Sequence, residues 1–455
     1  MARKLWIIGI GLLLAVVVVV LLADRTDPPP VDPADRIPDL PPADDLSGRR
    51  VTVLTNSPHL EAMDALADWF RDETGAVVDN VVVNYGEMLT AILDDIRSPS
   101  PRLDVVMFWY IDLGALVEAS ALEDLTSWIE SNRSVLRVDD YVESLFGPYT
   151  EYKGRRYALP FDGDTHVLFY RPSILKRHGL SPPTTWAEFS RAARTITQAE
   201  RTAGIYGTAI MAPHNPMAII STFMNRLAGF GGQLMDAEGR PTLDSPAATA
   251  ALSALVAHAR HALPTPVETD WEVSRDAFLS GRLAMVEQWT DIGVMAEDPA
   301  QSTIRGDWGV VPIPMAGSDR GHRPPLNSGF SLGISTRARN PDAARAYLLF
   351  AGRPDTCLRL SMINGGVDPV RRSTLESDAY RKFAPRLAEA VGSAIASAVP
   401  WPRHPRMADL LEGLTDGIIA ALEGRRSPVE ALRETQARWE AILAEPAAHR
   451  GGDGS

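Results

Sequence analysis

The sequence predicts an α/β fold arranged as two lobes, and three observations carry that prediction. Strand-like and helix-like segments alternate from Arg50 to Trp109. A second alternating region, dominated by helices, begins after Tyr170. The chain has 455 residues, more than one simple hydrophobic core serves. Its 45% apolar and 23% charged content is that of an ordinary folded globular protein.

Arg50 to Thr55 (RVTVLT) reads as a strand, and His59 to Thr74 places Met63, Leu66, Ala67 and Phe70 at helical spacing. Val77 to Val83 is a second strand, Gly86 to Ile96 a second helix and Asp104 to Trp109 (DVVMFW) a third strand. Strands separated by such helices form a parallel sheet with helical crossovers. Ligands of such sheets bind beyond the carboxyl ends of the strands. Thr55-Asn56-Ser57 and Trp109-Tyr110-Ile111-Asp112 occupy those ends. Beyond Tyr170, helices are expected at 186–201, 217–228, 246–261 and 274–279. GVVPIPMAG and NSGFSLGIST read as strands, followed by a helix at 341–350. The last third is helical, with an amphipathic helix at 428–443 (PVEALRETQARWEAIL).

The two ends have other compositions. Leu5 to Ala23 is a continuous apolar run behind Arg3 and Lys4, longer than the apolar core of a cleaved signal and long enough to span a bilayer. Its exit, VVLLADRT, makes a poor cleavage site, so an uncleaved anchor with its basic end inside is expected, cleavage after Ala23 being the alternative. Residues 24–47, rich in Pro and Asp, read as a semi-rigid linker. Residues 447–455 read as a disordered tail. The formal charge of −13 and the lack of a basic block after residue 4 argue against nucleic acid as a partner. The single cysteine, Cys357, permits no internal disulfide and reads as a small buried hydrophobe.

Several segments resemble, in order, the bacterial extracellular solute-binding proteins of carbohydrate ABC importers, the family that includes maltose-binding protein. Lys153 to Tyr170 is similar to the stretch that crosses between lobes, and PTTWAEF at 183–189 to the family's most recognisable signature. In that signature Thr184 or Thr185 caps a helix and Glu188 completes a capping box. FLSGRLAM at 278–285 with Trp289, VPIP at 311–314, NSGF at 327–330, GGVDPVR at 365–371 and SPVEAL at 427–432 continue the match. The resemblance implies a two-lobed periplasmic-binding-protein fold of the class II type, with hinged lobes and a ligand cleft between them. Placed by these motifs, the first lobe is 48–161 with 312–350 and the second 162–311 with 351–446. It also implies a carbohydrate or polyol ligand, ABC permease subunits as partners and an extracytoplasmic location, with no cofactor, metal or catalytic residue. The absence of a cysteine near the apolar run closes the lipid-anchored route common among such proteins.

The candidate ligand residues are weighed against plainer roles. Asp162 and Asp164 lie two apart on an extended segment, so both carboxylates leave one face about 7 Å apart. They suit sugar hydroxyls as acceptors, or are turn acids beside Gly163. Trp109, Tyr110 and Trp289 offer flat faces for a sugar ring, or are core; the resemblance favours Trp289 and makes Asp291 a polar partner. Asn56 either meets ligand or caps the following helix. His214-Asn215-Pro216-Met217 matches by position the family loop that reaches ligand, and a turn cap is the alternative for Asn215. Asn327 and Asn364 stand before Ser-Gly and Gly-Gly, where turn chemistry competes. Arg371 could clamp an anionic substituent, and Trp401 is a further aromatic candidate.

A glycosidase using Asp162 and Asp164 is disfavoured, because carboxylates on one strand face approach a sugar from the same side. No HExxH or phosphate-loop motif is present. A membrane-tethered ligand sensor with the same binding lobes is the alternative to a transport receptor.

Overall fold

The computed structural model describes residues 46–317, 324–363 and 367–445. The expected anchor, nearly all of the linker, Asn364 and the tail lie outside the described residues. Those described belong to one compact unit, Ile37–Ser455. Among them no helix is long and apolar enough to cross a membrane.

Two sheets organise this unit. The first has five strands in the order β2-β1-β3-β10-β6: β1 (Arg50–Asn56), β2 (Val77–Val83), β3 (Val105–Trp109), β6 (Ala158–Asp162) and β10 (Phe330–Ile334). β1 pairs parallel with β2 and β3, as right-handed helical crossovers require. β10 enters antiparallel between β3 and β6. A two-stranded hairpin, β4 (Glu151–Tyr152) with β5 (Arg155–Arg156), precedes β6. The second sheet, β8-β7-β9, joins β7 (His166–Tyr170) antiparallel to β8 (Met285–Trp289) and β9 (Gly309–Val311).

The chain therefore passes from the first sheet to the second within three residues, 163–165, and returns between β9 and β10. The strand expected over GVVPIPMAG stops at Val311 because Pro312 and Pro314 have no N–H to give a ladder. Met315 rejoins only as an isolated bridge to Thr185. The second sheet is antiparallel, unlike the parallel pairing of β1 with β2 and β3.

The helices form where capping and apolar spacing coincide. Trp186–Glu200 starts on the expected capping box: Glu188 N–H donates to Thr185 Oγ1 (3.2 Å) and Thr185 N–H to Glu188 Oε2 (3.1 Å). Its buried face, Trp186, Phe189, Ala193 and Ile196, packs with Leu168, Met285 and Ile313 into one core. Pro216–Gly229 is buried on nearly all sides, as a central helix must be. Met407–Leu422 and Pro428–Ala444 pack together against that part of the molecule, pinned by Trp439 Nε1 donating to Leu410 O (2.6 Å).

Candidate functional site

The first crossing gathers a cluster of acids. Asp162 ends β6, and its Oδ1 accepts from Asp368 N–H (2.7 Å) while its Oδ2 meets His59 Nε2 (3.1 Å). His59 Nδ1 donates to Asn56 Oδ1 (2.6 Å), so a proton lies between Nε2 and Asp162. Gly163 is where the 367–370 segment comes closest: a Cβ there would lie 2.6 Å from Pro369 O, and Gly163 N–H donates to Asp368 O (3.2 Å). Asp368 is thereby held against the crossing that carries Asp164, and the two buried acids act on each other. Asp368 also accepts from Thr290 Oγ1. Asp291, just past β8, caps its own turn through Ile292 N–H (2.9 Å) and adds a fourth carboxylate. Burial first, then the neighbouring acids, raises the Asp164 and Asp368 carboxyls well above their ordinary range.

Aromatic rings stand around this cluster. Trp289 meets His166 edge-on at 4.4 Å, and Trp109 meets Trp401 at 5.4 Å. Trp109 pairs in register with Phe330, whose ring lies 4.8 Å from His59 and 5.7 Å from Tyr85. Tyr110 stacks on Tyr149 at 4.9 Å; its hydroxyl donates to Leu326 O (2.8 Å) and accepts from Trp401 N–H (2.9 Å).

A buried polar network lies behind the second sheet. Arg226 grips Glu287 through both terminal nitrogens (2.9 and 2.6 Å) and donates from Nε to His258 Nδ1 (3.1 Å). His258 therefore carries its proton on Nε2, facing Ser190 Oγ at 2.6 Å. Asn225 donates to Glu287 (2.8 Å) and to His166 Nδ1 (2.9 Å), and accepts from Asn327 Nδ2 (2.6 Å). With Nδ1 accepting, the His166 proton sits on Nε2, which has no partner.

Eleven buried side-chain polar atoms among the described residues lack a hydrogen-bond partner, and six belong to this junction: Trp109 Nε1, Trp289 Nε1, Trp401 Nε1, His166 Nε2, Asp164 Oδ1 and Asn327 Oδ1. Folded proteins pair nearly all such atoms, so the six stand out as unspent hydrogen-bonding capacity where the sheets meet.

The residues expected from sequence divide accordingly. Asp162, Asp164, Asp291, Trp109, Trp289, Trp401 and Asn327 meet at the junction. Asn56 is wholly buried; its oxygen caps the turn at His59 (3.2 Å) and its amide faces the Met88 and Met107 sulfurs, so it acts by holding His59. Asn215 is a helix cap, accepting from Met217 N–H (3.0 Å), and His214 pairs with Asp416 on the surface. Tyr110 spends one ring face on Tyr149 and its hydroxyl on the crossing chain. Arg371 corrects the expectation of an anion clamp. It is fully buried, and its guanidinium bonds Gly352 O, Cys357 Sγ (3.3 Å) and Asp140 (3.4 Å) while lying 3.8 Å over the Tyr141 ring. Reading the sequence missed His59, His166, Asn225 and Asp368. Only Asp368, an acid inside the small-residue loop GGVDP, carried a local signal.

These environments predict a pH dependence for the ligand-free protein. Burial, then Asp162, pushes Asp291 up to about 6, and burial pushes Asp112 up to about 7. An acid with a raised pKa contributes stability that is present at low pH and lost as pH rises through the folded value. His166, brought down to about 3 by burial and then Arg226, and His258, lowered for the same reasons, act oppositely: their contribution fades as pH falls below the ordinary histidine value. The melting temperature should therefore rise as pH falls from 8 to about 6.5 and rise less steeply below that, where the two histidines offset part of the gain. Calorimetric scans that show it constant or falling over the upper interval would contradict this placement of the acids.

Comparison with known proteins gives a consistent picture. The family model for bacterial extracellular solute-binding proteins matches residues 29–356. A probable amino-acid ABC transporter periplasmic-binding protein of Sinorhizobium fredii is 24% identical over 407 residues, covering 87% of this chain and 90% of its own. Among solved structures, an ABC transporter solute-binding protein from Agrobacterium radiobacter in complex with ribitol superimposes with a TM-score of 0.78 at 24% identity, over 87% of this chain and 99% of that one. Maltose-bound MalE3 of T. maritima gives 0.78 at 23% identity, over 87% and 100%. The fold is the two-lobed one these structures share.

Proposed function

The chain belongs to the bacterial extracellular solute-binding protein family, and from that premise we propose that it is the extracytoplasmic receptor of an ABC importer, capturing a sugar or polyol between its lobes. The observation that carries this reading is the set of six unpartnered buried polar atoms at the junction of the two sheets. Four are donors and two are acceptors, the mixture that hydroxyl groups satisfy from both sides. Trp109, Trp289 and Trp401 supply faces for the apolar side of the solute. Asp164, His166 and Asn327 bond its hydroxyls, while Asp162, Asp291, Asn56, Tyr110 and Asn215 position the segments that carry them. The lobes are 48–161 with 312–350, and 162–311 with 351–446. A solute touching both favours the closed arrangement through that differential contact alone. Capture and release need no covalent step, so the protein is read as a receptor and not an enzyme.

Ribitol and maltose in the structural neighbours support this solute class, and the name of the Sinorhizobium relative makes amino acids the control class. The apolar run 5–23 favours a permanent tether, in which case the protein either feeds a permease or reports closure to a membrane partner. The full-length chain, which this reading places in the membrane fraction until detergent is added, is then heated with sugars, polyols and amino acids. A solute at a hundredfold excess over Kd adds about 2.7 kcal/mol. A rise in melting temperature with a sugar or polyol, abolished in Trp289→Ala, is expected. A rise with amino acids only would overturn the carbohydrate reading.

A further inference from the structure

We propose that the solute is an aminated sugar or polyol whose ammonium group sits between Asp164 and Asp368. The proposal rests on the receptor reading above and deepens it. Four carboxylates, Asp162, Asp164, Asp291 and Asp368, converge from three separate segments: the first crossing, the end of β8 and the 367–370 loop. Among the described residues, His59 is the only basic side chain that pairs with any of them, and it serves Asp162. Arg275 acts on Asp291 only at a distance.

Neutral hydroxyls bond one or two of these acids and supply no counter-charge, so the rest escape mutual repulsion only by taking up protons. Without a cation, burial and crowding favour a bound proton on the Asp164 and Asp368 pair. An ammonium group replaces that proton with three N–H donors. One has an acceptor waiting: Asp164 is 9% exposed and its Oδ1 is buried with no partner. Asp368 offers a second acceptor beside Thr290, and the tryptophans flank the site with faces that attract a cation as well as a sugar ring. The charge of −13 draws cations toward the whole molecule.

The test uses matched pairs on the full-length chain in detergent: glucosamine against glucose, and glucamine against glucitol, by titration calorimetry, with spermidine as an amine lacking a carbohydrate frame. The amine member of a pair should bind at least about tenfold tighter, since its hydrogen bonds are charge-assisted. Asp164→Asn with Asp368→Asn should bring that ratio below about three; Asp368→Asn alone, isosteric and able to keep the Thr290 contact, is the second variant should the double one misfold. Neutral sugars or polyols binding as tightly as their amines would overturn the ammonium site while leaving the sugar receptor standing. Binding of spermidine alone would overturn the carbohydrate frame and with it the receptor reading, and a flat response to every probe would overturn both.

Discussion

Replacing Arg226 by Met is expected to lower the unfolding free energy by about 3–5 kcal/mol, the cost of leaving a buried carboxylate without its counter-charge. Arg226 is wholly buried and Glu287 nearly so. Their bond is bidentate, and Arg226 adds Thr222 O (2.8 Å), His258 and the face of Trp186, 4.5 Å from the guanidinium. The substitution therefore strands Glu287, removes the donor to His258 and unpacks Trp186 at once. The pair itself is not what the fold needs most. Its attraction is largely spent on desolvation, so Arg226→Met combined with Glu287→Leu should cost clearly less than the sum of the two single changes. Urea titration of the four proteins gives the coupling. A single-variant loss below about 1 kcal/mol would mean that water reaches Glu287 and that the network is less dry than its geometry implies. The network also has a functional end: Glu287 and Asn225 fix the His166 tautomer, so the variants should bind solute more weakly than their residual stability alone explains.

That network shows which parts of the molecule a sequence discloses. The first three strands and their helices were legible because their signals are local: alternation in RVTVLT, helical spacing in 59–74, a capping box at Thr185 and Glu188. Val77–Val83 is met to the residue. The short helices between 113 and 150 were not, since pieces of four to eight residues carry too little periodicity. Pro312 and Pro314 were visible, yet the strand was extended through them. The site divides in the same way. Asp162, Asp164, Trp289 and Asp291 stand beside recognisable segments. His59, 103 positions from Asp162, and Asp368, 206 positions from it, are joined to the site only by folding. Arg371 shows the reverse error. Arginine beside a loop suggests an anion, but its place was decided by Tyr141, Cys357 and the Gly352 carbonyl, none near enough in sequence to suggest a core.

Gly329→Ala should be the most damaging alanine substitution among the described glycines, at about 2–6 kcal/mol. Gly329 precedes β10 on the return crossing with φ at +110°, a region that side-chain-bearing residues enter only at a cost of about 1–3 kcal/mol. An added Cβ would also lie 1.6 Å from the Tyr149 hydroxyl oxygen and 2.3 Å from its ring carbon. Tyr149 has nowhere to go: it is fully buried, stacked on Tyr110, and donates to Ser328 O (3.0 Å). Overpacking of this kind adds about 1–3 kcal/mol more. Tyr149→Phe removes the atom in deepest conflict, so adding it to Gly329→Ala should recover part of the loss and leave the backbone strain, a split that thermal unfolding resolves. If Gly329→Ala melts within a degree of the parent, the crossing is free to adopt another path. The ligand reading would suffer with it, because Tyr149 donates to Ser328 O beside Asn327, one of the residues that bond the solute in that reading. The same hydroxyl that excludes a methyl at Gly329 ties down the return crossing, on which Asn327 stands.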